Sequence, residues 1–567
     1  RLDASFARRP PASGGIALAS QSGAVGIAAL DRASRCGAGV AAFVSLGDKI
    51  DISGNDLLLV WDRDPRVDVI TLYLESVGNP RKFARLARRV ARHKPVVLLK
   101  GGRSTGGRRA GLSHTAAAAT DDVMVDVLCH QAGITRVETL EELIEVAMLL
   151  AEQPLPEGGR VGIVGNAGGA GVLGADAAQR AGLEVPELSL GLQEVLRAAL
   201  PSAAVANPVD LGAAAGPDEF AAALRAVTAS GEVDAVIAVF GATAVGAPER
   251  VLAVLEAAAA KPRVTFLAVL LGVEPDDRRP ADPDGRRLPV FDFPEPAVRA
   301  LAHAVRYARW RQTGPGQLLE ISGGQVDRAG AMIAAFLAGS PAGGWVDLPQ
   351  ASAVLACYGI AVIPSVVAVS ADAAVSAAEH AGYPVALKTA APDVVHKTDV
   401  GGVRVGLVSP SAVRAAYDDI TAATGSADVL VQAVVVGATA ELVVGVAAEP
   451  TFGPILMVGL GGVATDVLQD RTFRAAPVTD AEARQMVLGL SAAPLLLGHR
   501  GAAAVDLELT DDLLQRVGRL AADHPEVVEL DLNPVLVRPE GVLAVDVKLR
   551  LAPPTEAPDP DLRRLRP

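Results

Sequence analysis

The stretch Ile16-Ala-Leu-Ala-Ser-Gln-Ser-Gly-Ala-Val-Gly26 decides the fold. A short apolar run of this kind reads as a buried strand, and the Ser/Gly turn that follows opens a helix. Such a junction bares backbone N–H groups beyond the strand's carboxyl end, and the helix dipole adds positive potential there. The pattern returns at Val161-Gly-Ile-Val-Gly-Asn-Ala-Gly-Gly-Ala-Gly171, so two halves of the chain echo each other. Two such turns facing one centre would make an anion cage.

Outward from these turns, apolar runs at Val69–Leu74, Val96–Lys100, Val236–Phe240 and Val264–Leu271 alternate with Ala/Leu/Arg-rich helical stretches. This is the βαβ rhythm of open parallel sheets. The reading is α/β, with doubly wound domains at 1–152 and 158–312 separated by the Gln153-Pro-Leu-Pro-Glu-Gly-Gly linker. A Gly/Pro-punctuated connector at 313–344 carries one short helical stretch, Ala329–Leu337. An α+β domain follows at 345–551, then an extended tail at 552–567.

A chain of 567 residues is too long for a single core. Half of it is apolar but only 3% aromatic, so its cores are built from Ala, Val and Leu. The net charge of −13 argues against nucleic acid as a partner. Cys36, Cys129 and Cys357 are too scattered for a disulfide framework or thiolate zinc site, which fits a reducing cytoplasm. No signal peptide or long charge-free apolar run is present, so no membrane partner is expected. A start at Arg1 rather than Met reads as a fragment or processed chain.

The chemistry centres on Ser113-His114-Thr115, just beyond Lys100-Gly-Gly-Arg-Ser-Thr-Gly-Gly-Arg-Arg-Ala-Gly-Leu. An unprotonated imidazole can attack a phosphoryl group, and the phosphohistidine formed needs donors around its charged oxygens. Bared N–H groups, hydroxyls and arginines supply them.

In the third region Gly382-Tyr-Pro-Val-Ala-Leu-Lys388 delivers a lysine on a strand. His396-Lys-Thr-Asp-Val-Gly401-Gly402 then reads as a mobile lid over nucleotide phosphates. Gln432 ends a strand where a purine edge can be met, and Glu441 suits a ribose hydroxyl or a metal. Alternation puts Glu529, Asp531 and Asn533 on one strand face, with Asp546 on the partner strand of a hairpin. Oxygen ligands so placed describe a Mg²⁺ site.

These residues resemble an ATP-grasp domain. The whole order is similar to the NDP-forming acyl-CoA synthetases, the superfamily of succinyl-CoA synthetase and ADP-forming acetate–CoA ligase. The resemblance rests on Ser20-Gln-Ser-Gly, Leu72-Tyr-Leu-Glu75, Ser113-His-Thr, Asn166-Ala-Gly-Gly, Asn207-Pro-Val-Asp, His396-Lys-Thr-Asp-Val-Gly-Gly, Gly459-Leu-Gly-Gly and Leu532-Asn-Pro. It implies two succinyl-CoA synthetase-like flavodoxin domains before the ATP-grasp domain.

The resemblance also implies roles for individual residues. His114 matches the transiently phosphorylated histidine, and Glu75 matches the carboxylate that orients it. Ser22, Gly23, Gly168 and Gly169 match the phosphate-gripping helix starts. Lys388, Gln432 and Glu441, with Gly401 and Gly402 in the lid, match nucleotide contacts. Asn533 and Asp546 match the Mg²⁺ ligands, and His396 matches a second, phosphate-carrying histidine. Ala116 stands where the family has Gly, and Asp466 where it has Glu. His93, His130, His303, His380, His499 and His524 are read as structural.

The implied activity is ligation of a small carboxylic acid to coenzyme A with ATP or ADP and Mg²⁺, through acyl phosphate and phosphohistidine. The family normally begins with a CoA-binding domain that would precede residue 1. The expected partners are therefore a second copy of the chain or an N-terminal CoA-binding or acetyltransferase portion. The alternative reading is a non-catalytic acyl-CoA or nucleotide sensor fused to a GNAT-type acetyltransferase. A third is a carboxylate–amine ligase using the ATP-grasp fold alone.

Overall fold

The computed structural model describes residues 11–49, 51–104, 106, 122–242, 248–260, 262–273, 287–391, 400–462, 470–498, 504–539 and 541–554. The chain divides into two compact units, one ending at Gly314 and the next beginning at Pro315.

The first unit holds two parallel sheets. Strands β1 (Ile16–Ser20), β2 (Val40–Ser45), β3 (Val69–Leu74), β4 (Val96–Lys100) and β5 (Ile134–Val137) lie in the order β2-β1-β3-β4-β5. Strands β6 (Val161–Gly165), β7 (Val209–Asp210), β8 (Ala235–Gly241), β9 (Thr265–Leu271) and β10 (Val290–Phe291) lie in the order β7-β6-β8-β9-β10. Counted from its own first strand, each sheet runs 2-1-3-4-5, the flavodoxin-like order. The echo heard in the two glycine turns is thus an echo of topology. In such sheets ligands bind beyond the carboxyl ends of the strands, where the winding reverses. Those places are the β1/β3 and β6/β8 edges.

Helix Leu140–Glu152 is buried continuously from Glu142 to Leu150, because it lies between the first sheet and helix Pro294–Thr313. A helix covered on all sides must pair any charge it carries. Glu142 Oε1 meets His303 Nε2 at 2.7 Å, and Glu145 takes the Arg32 guanidinium at 2.7 Å. Tyr307 on the same long helix donates to the Ala91 carbonyl at 2.7 Å, and the Arg92 guanidinium lies 4.2 Å from the centre of the Trp310 ring. The stretch read as a linker is built in. Gln153 is buried, donates to the carbonyls of Ala259 and Arg287, and accepts from the Phe266 N–H.

The second unit is α+β. Its larger sheet contains β11 (Gly344–Val346), β16 (Ala440–Glu449), β17 (Gly453–Leu460), β18 (Arg471–Ala475), β19 (Val527–Arg538), β20 (Gly541–Ala544) and β21 (Val547–Leu551). Its smaller sheet runs β12 (Ser365–Ala368), β15 (Val429–Ala433), β13 (Val385–Thr389), β14 (Val403–Leu407), all antiparallel.

The connector expected at 313–344 differs in the structure, since most of it is one 17-residue helix, Gly323–Gly339. Ala329 and Ile333 enter the main core of this unit, beside Tyr358, Leu442 and Leu530. Its four glycines weaken the helical signal in sequence, but burial of that apolar face outweighs their cost of about 1 kcal/mol each.

Candidate functional site

At the mouth of the first sheet, Ser22 caps helix Gly23–Arg35, its Oγ accepting from the Val25 N–H at 3.4 Å. The Ser20 hydroxyl donates to the Ser22 carbonyl at 2.6 Å. Gly23 leaves the helix start open, as a Cβ there would meet nothing nearer than Ser45 Oγ at 3.9 Å. Between them Gln21 is buried, and its Oε1 accepts from the N–H groups of Glu75 and Ser76 at 2.9 and 3.1 Å. One amide therefore ties the turn after β1 to the turn after β3 and holds Glu75 at the switch point.

Tyr73 OH lies 3.5 Å from a Glu75 oxygen, and burial first, then that carboxylate, push the phenol's pKa up. Gly101 passes under this ring, where a Cβ would fall 2.9 Å from Tyr73 Oη. Lys100 is buried at the end of β4, and Lys49 lies in the turn after β2. An open depression of about 590 Å³ is lined by Lys100, Gly102, Arg103, Ser104 and Asp122. These residues flank 107–121, the segment that carries His114. His114 itself, with Ala116, lies outside the described residues.

The second glycine turn is made differently. Asn166 is buried and exchanges hydrogen bonds with Gly241, donating to its carbonyl at 3.0 Å and accepting from its N–H at 2.7 Å. That closes the β6/β8 edge. Asn207 does likewise along β6, accepting from the Ile163 N–H and donating to the Val161 carbonyl. Helix Gly168–Arg180 has Ala167 at its cap and no side-chain cap bond; Ala170 and Gly171 N–H go to the Ala167 carbonyl, which leaves the Gly168 and Gly169 N–H groups for another acceptor. At Gly168 a Cβ would stand 2.4 Å from Asp210 Oδ2, so the Asp210 carboxylate would have to move aside. At Gly169 nothing lies within 4 Å. No hydrogen bond joins this turn to the one at Ser22 among the described residues.

In the second unit, Ala386 faces Gln432 and Lys388 faces Leu430 across β13 and β15. Directly opposed residues share a face, so Lys388 and Gln432 point the same way. Val385, Leu387, Val429 and Val431 fill the other, helix-covered face. Gln432 Nε2 donates to the Val545 carbonyl at 3.3 Å, while its Oε1 is buried with no partner. A buried acceptor without a donor is costly, and the exocyclic amine of a purine would satisfy it. That orphaned oxygen is what fits this region to a nucleotide.

Val545 leads to Asp546, whose backbone oxygen accepts from the Asn533 N–H at 3.2 Å. Gln432, Asp546 and Asn533 therefore stand in one connected group. Asp546 lies in the link between β20 and β21 rather than on the hairpin strand that pairs with β19. Glu529 and Asp531 share a face, since Leu530 and Leu532 are core residues, whereas Asn533 falls where the register of β19 against β16 shifts and is not fixed to that face by alternation. The oxygen donors of Asn533 and Asp546 suit a hard cation that keeps waters and phosphate oxygens as further ligands. Among the described residues, no three His, Cys, Asp or Glu side chains gather as a metal cluster.

Glu441 is exposed on β16, with its backbone carbonyl accepting from the Gly461 N–H at 2.7 Å. Gly401 has φ +73, and the Gly402 carbonyl accepts from Thr389 N–H, closing the root of the segment that carries His396. His396 and Asp466 lie outside the described residues.

Sequence reading missed Gln21, Lys49 and Lys100 as site residues. Gln21 and Lys100 stood within quoted motifs, each directly after or ending an apolar strand, which was the signal available. Cys36, Cys129 and Cys357 are buried and free. No helix of the described residues is long and apolar enough to cross a membrane.

Residues 13–150 match a succinyl-CoA ligase like flavodoxin domain, 161–266 a ligase-CoA domain and 340–551 an ATP-grasp domain. The chain is 34% identical over 562 residues to an ADP-forming 4-hydroxybutyrate–CoA ligase from Nitrosopumilus maritimus, covering 97% of this chain and 80% of that protein. It is 36% identical over 558 residues to ADP-forming acetate–CoA ligase I of Archaeoglobus fulgidus, with the same coverage. An acetyl-coenzyme A synthetase from Ca. Korarchaeum cryptofilum, solved in complex with phosphate and ADP, superposes with a TM-score of 0.50 at 30% identity. That match covers 55% of this chain and 68% of the other.

Proposed function

Because the chain belongs to the family of ADP-forming acyl-CoA ligases, we propose that it joins a small carboxylic acid to coenzyme A through a phosphohistidine on His114. The γ-phosphoryl group of ATP passes to the His396 imidazole, ADP leaving, and from there to the His114 imidazole. A carboxylate oxygen of the acid takes the phosphoryl group, giving an acyl phosphate and freeing the ring. The CoA sulfur then displaces phosphate and forms the thioester. Run backwards, the same steps make ATP.

The observation that carries this reading is the fixing of Glu75 by Gln21 at the β1/β3 switch point, with Gly101 packed against its side chain so that a Cβ there would lie 3.4 Å from Glu75 Cγ. A carboxylate there can hold one ring nitrogen and leave the other as the nucleophile. The starts of helices Gly23–Arg35 and Gly168–Arg180 supply N–H donors for the phosphoryl oxygens. Lys388 and Gln432 hold the nucleotide, and Asn533 and Asp546 hold Mg²⁺, whose bound charge screens the phosphates. His396 carries the phosphoryl group between nucleotide and acyl chemistry, since reacting atoms must approach to about 3–3.5 Å. The matched domains are ligase domains, and neither the sensor reading nor an acetyltransferase fusion has a finding behind it.

The test is label transfer. Incubation with γ-³²P ATP and Mg²⁺ gives an acid-labile, base-stable protein label that added carboxylic acid substrate discharges; His396→Ala slows its formation, and His114→Ala leaves at most the label on His396, which the substrate no longer discharges. Nucleotide binding without any label would overturn the proposal. A panel of short aliphatic, hydroxylated and aryl acids with CoA then identifies the acid.

A further inference from the structure

Two lysines unused above stand at the mouth of the first sheet. Lys49 has φ +57, a left-handed backbone that non-glycine residues rarely adopt. Its ammonium donates to the Ser76 carbonyl, in the turn that Gln21 also holds. Lys100 is 4% exposed and donates to the Gly101 carbonyl. Each ammonium has three donors and spends one. Neither lysine forms an ion pair among the described residues.

The charges facing them do not cancel. Burial, with the Lys100 charge, pushes the Lys49 ammonium down to about 8, while Glu75 acts the other way. Lys100 is lowered by burial, with Asp122 and Glu75 opposing and Arg136 adding to the drop. Arg136 is spent on Asp122 and Asp126, and Arg103 on Asp122 and Glu138, so two ammoniums are left facing one carboxylate, Glu75, in a partly desolvated place. Such a cluster is relieved when an anion enters it.

We propose that Lys49 and Lys100 form an anion subsite beside Glu75 that holds a phosphoryl group, as inorganic phosphate or as acyl phosphate. Its place in the reaction rests on the ligase reading, whereas its anion chemistry does not. Two ammoniums suit a dianion better than a single carboxylate. The nearby start of helix Gly23–Arg35 favours the same sign of ligand. The strained backbone at residue 49 is explained likewise, because glycine would relax it and only a long cationic side chain would be lost.

The experiment uses the full chain with ADP saturating the nucleotide site, and titrates sulfate and inorganic phosphate calorimetrically. Lys49→Gly and Lys100→Gln each weaken both anions about tenfold, while Lys49→Arg stays within about threefold. Lys49→Gly unfolds at the same temperature as the parent or higher, which separates lost binding from lost fold. Sulfate keeps two charges at neutral and alkaline pH, so its affinity in the parent falls as pH rises through about 8. That fall flattens in Lys49→Arg, whose charge persists. Glu75 and Lys100 face Lys49 throughout and are unchanged in that variant.

Sulfate affinity equal in parent and Lys49→Gly overturns the subsite, as does affinity that ignores pH. The two readings fail separately. Sulfate bound through these lysines with no label taken from ATP sinks the ligase reading alone. Normal labelling of Lys49→Gly with unchanged sulfate affinity sinks the subsite alone.

Discussion

The side chain of Gln21 accepts hydrogen bonds from the backbone of Glu75 at 2.9 Å and from that of Ser76 at 3.1 Å, across the first sheet's switch point. The posture of the Glu75 carboxylate therefore depends on a neutral amide 54 residues away. Gln21→Ala leaves two N–H groups without their acceptor, which costs about 1–3 kcal/mol in denaturant unfolding. Labelling of His114 should fall more than stability alone explains, and Gln21→Glu should restore much of both. Full labelling in Gln21→Ala would show that Glu75 needs no such tether.

The second turn makes a prediction about neighbouring glycines. Gly168→Ala sets a methyl 2.4 Å from Asp210 Oδ2 and should cost about 1–3 kcal/mol. Gly169→Ala enters open space and should change stability by under about 0.5 kcal/mol. Thermal melts of the pair check this, and equal losses would contradict the packing at β7.

In the second unit, Gln432→Leu removes the orphaned Oε1 together with the one bond that the amide makes to Val545. Stability should shift by less than about 1 kcal/mol, since an unmatched buried acceptor disappears too. ADP affinity should drop about tenfold, or roughly 1.4 kcal/mol. ADP bound as tightly as by the parent would assign that oxygen to another task.

Helix Gly323–Gly339 offers a test of burial. Ile333 is 2% exposed, so Ile333→Ala should cost about 2–5 kcal/mol. A residue in an extended connector would lose almost nothing. Chemical denaturation of the full chain distinguishes the two.

The Glu142–His303 contact carries a pH signature. Burial pushes the Glu142 carboxyl up, but the His303 bond, the Glu138 N–H and the His303 and Arg299 charges outweigh it and hold the pKa below its usual value. A carboxyl depressed in the folded state contributes stability above its unfolded pKa, and that stability is lost as pH falls through the folded value. The acid limb of the stability curve should therefore flatten in Glu142→Gln, at a neutral-pH cost of about 2 kcal/mol. An unchanged acid limb would exclude this pair as its source.

Much of the architecture was legible because buried parallel strands are continuous apolar runs, and Ile16–Ser20 and Val161–Gly165 are among the clearest. Burial on both sheet faces dictates that composition, whereas the strand order was legible only through the family resemblance. Helix Gly323–Gly339 was legible only in part, because Gly323, Gly324, Gly330 and Gly339 dilute a periodicity that tertiary burial restores. Asp546 was placed near Asn533 correctly but on the wrong element, since a backbone bond from a strand residue to the link after β20 leaves no periodic trace. Lys49 left still less, as nothing in Gly47-Asp-Lys49 announces a left-handed lysine aimed at the Ser76 carbonyl.

Helix Leu140–Glu152 serves as a party wall with apolar tenants on both sides. Severing the polypeptide at Gln153, where proline and glycine invite scissors, would strip that wall and leave a sticky, insoluble fragment. Anyone dividing this protein into working pieces should cut after Gly314, and should treat the two flavodoxin-like halves as one indivisible part.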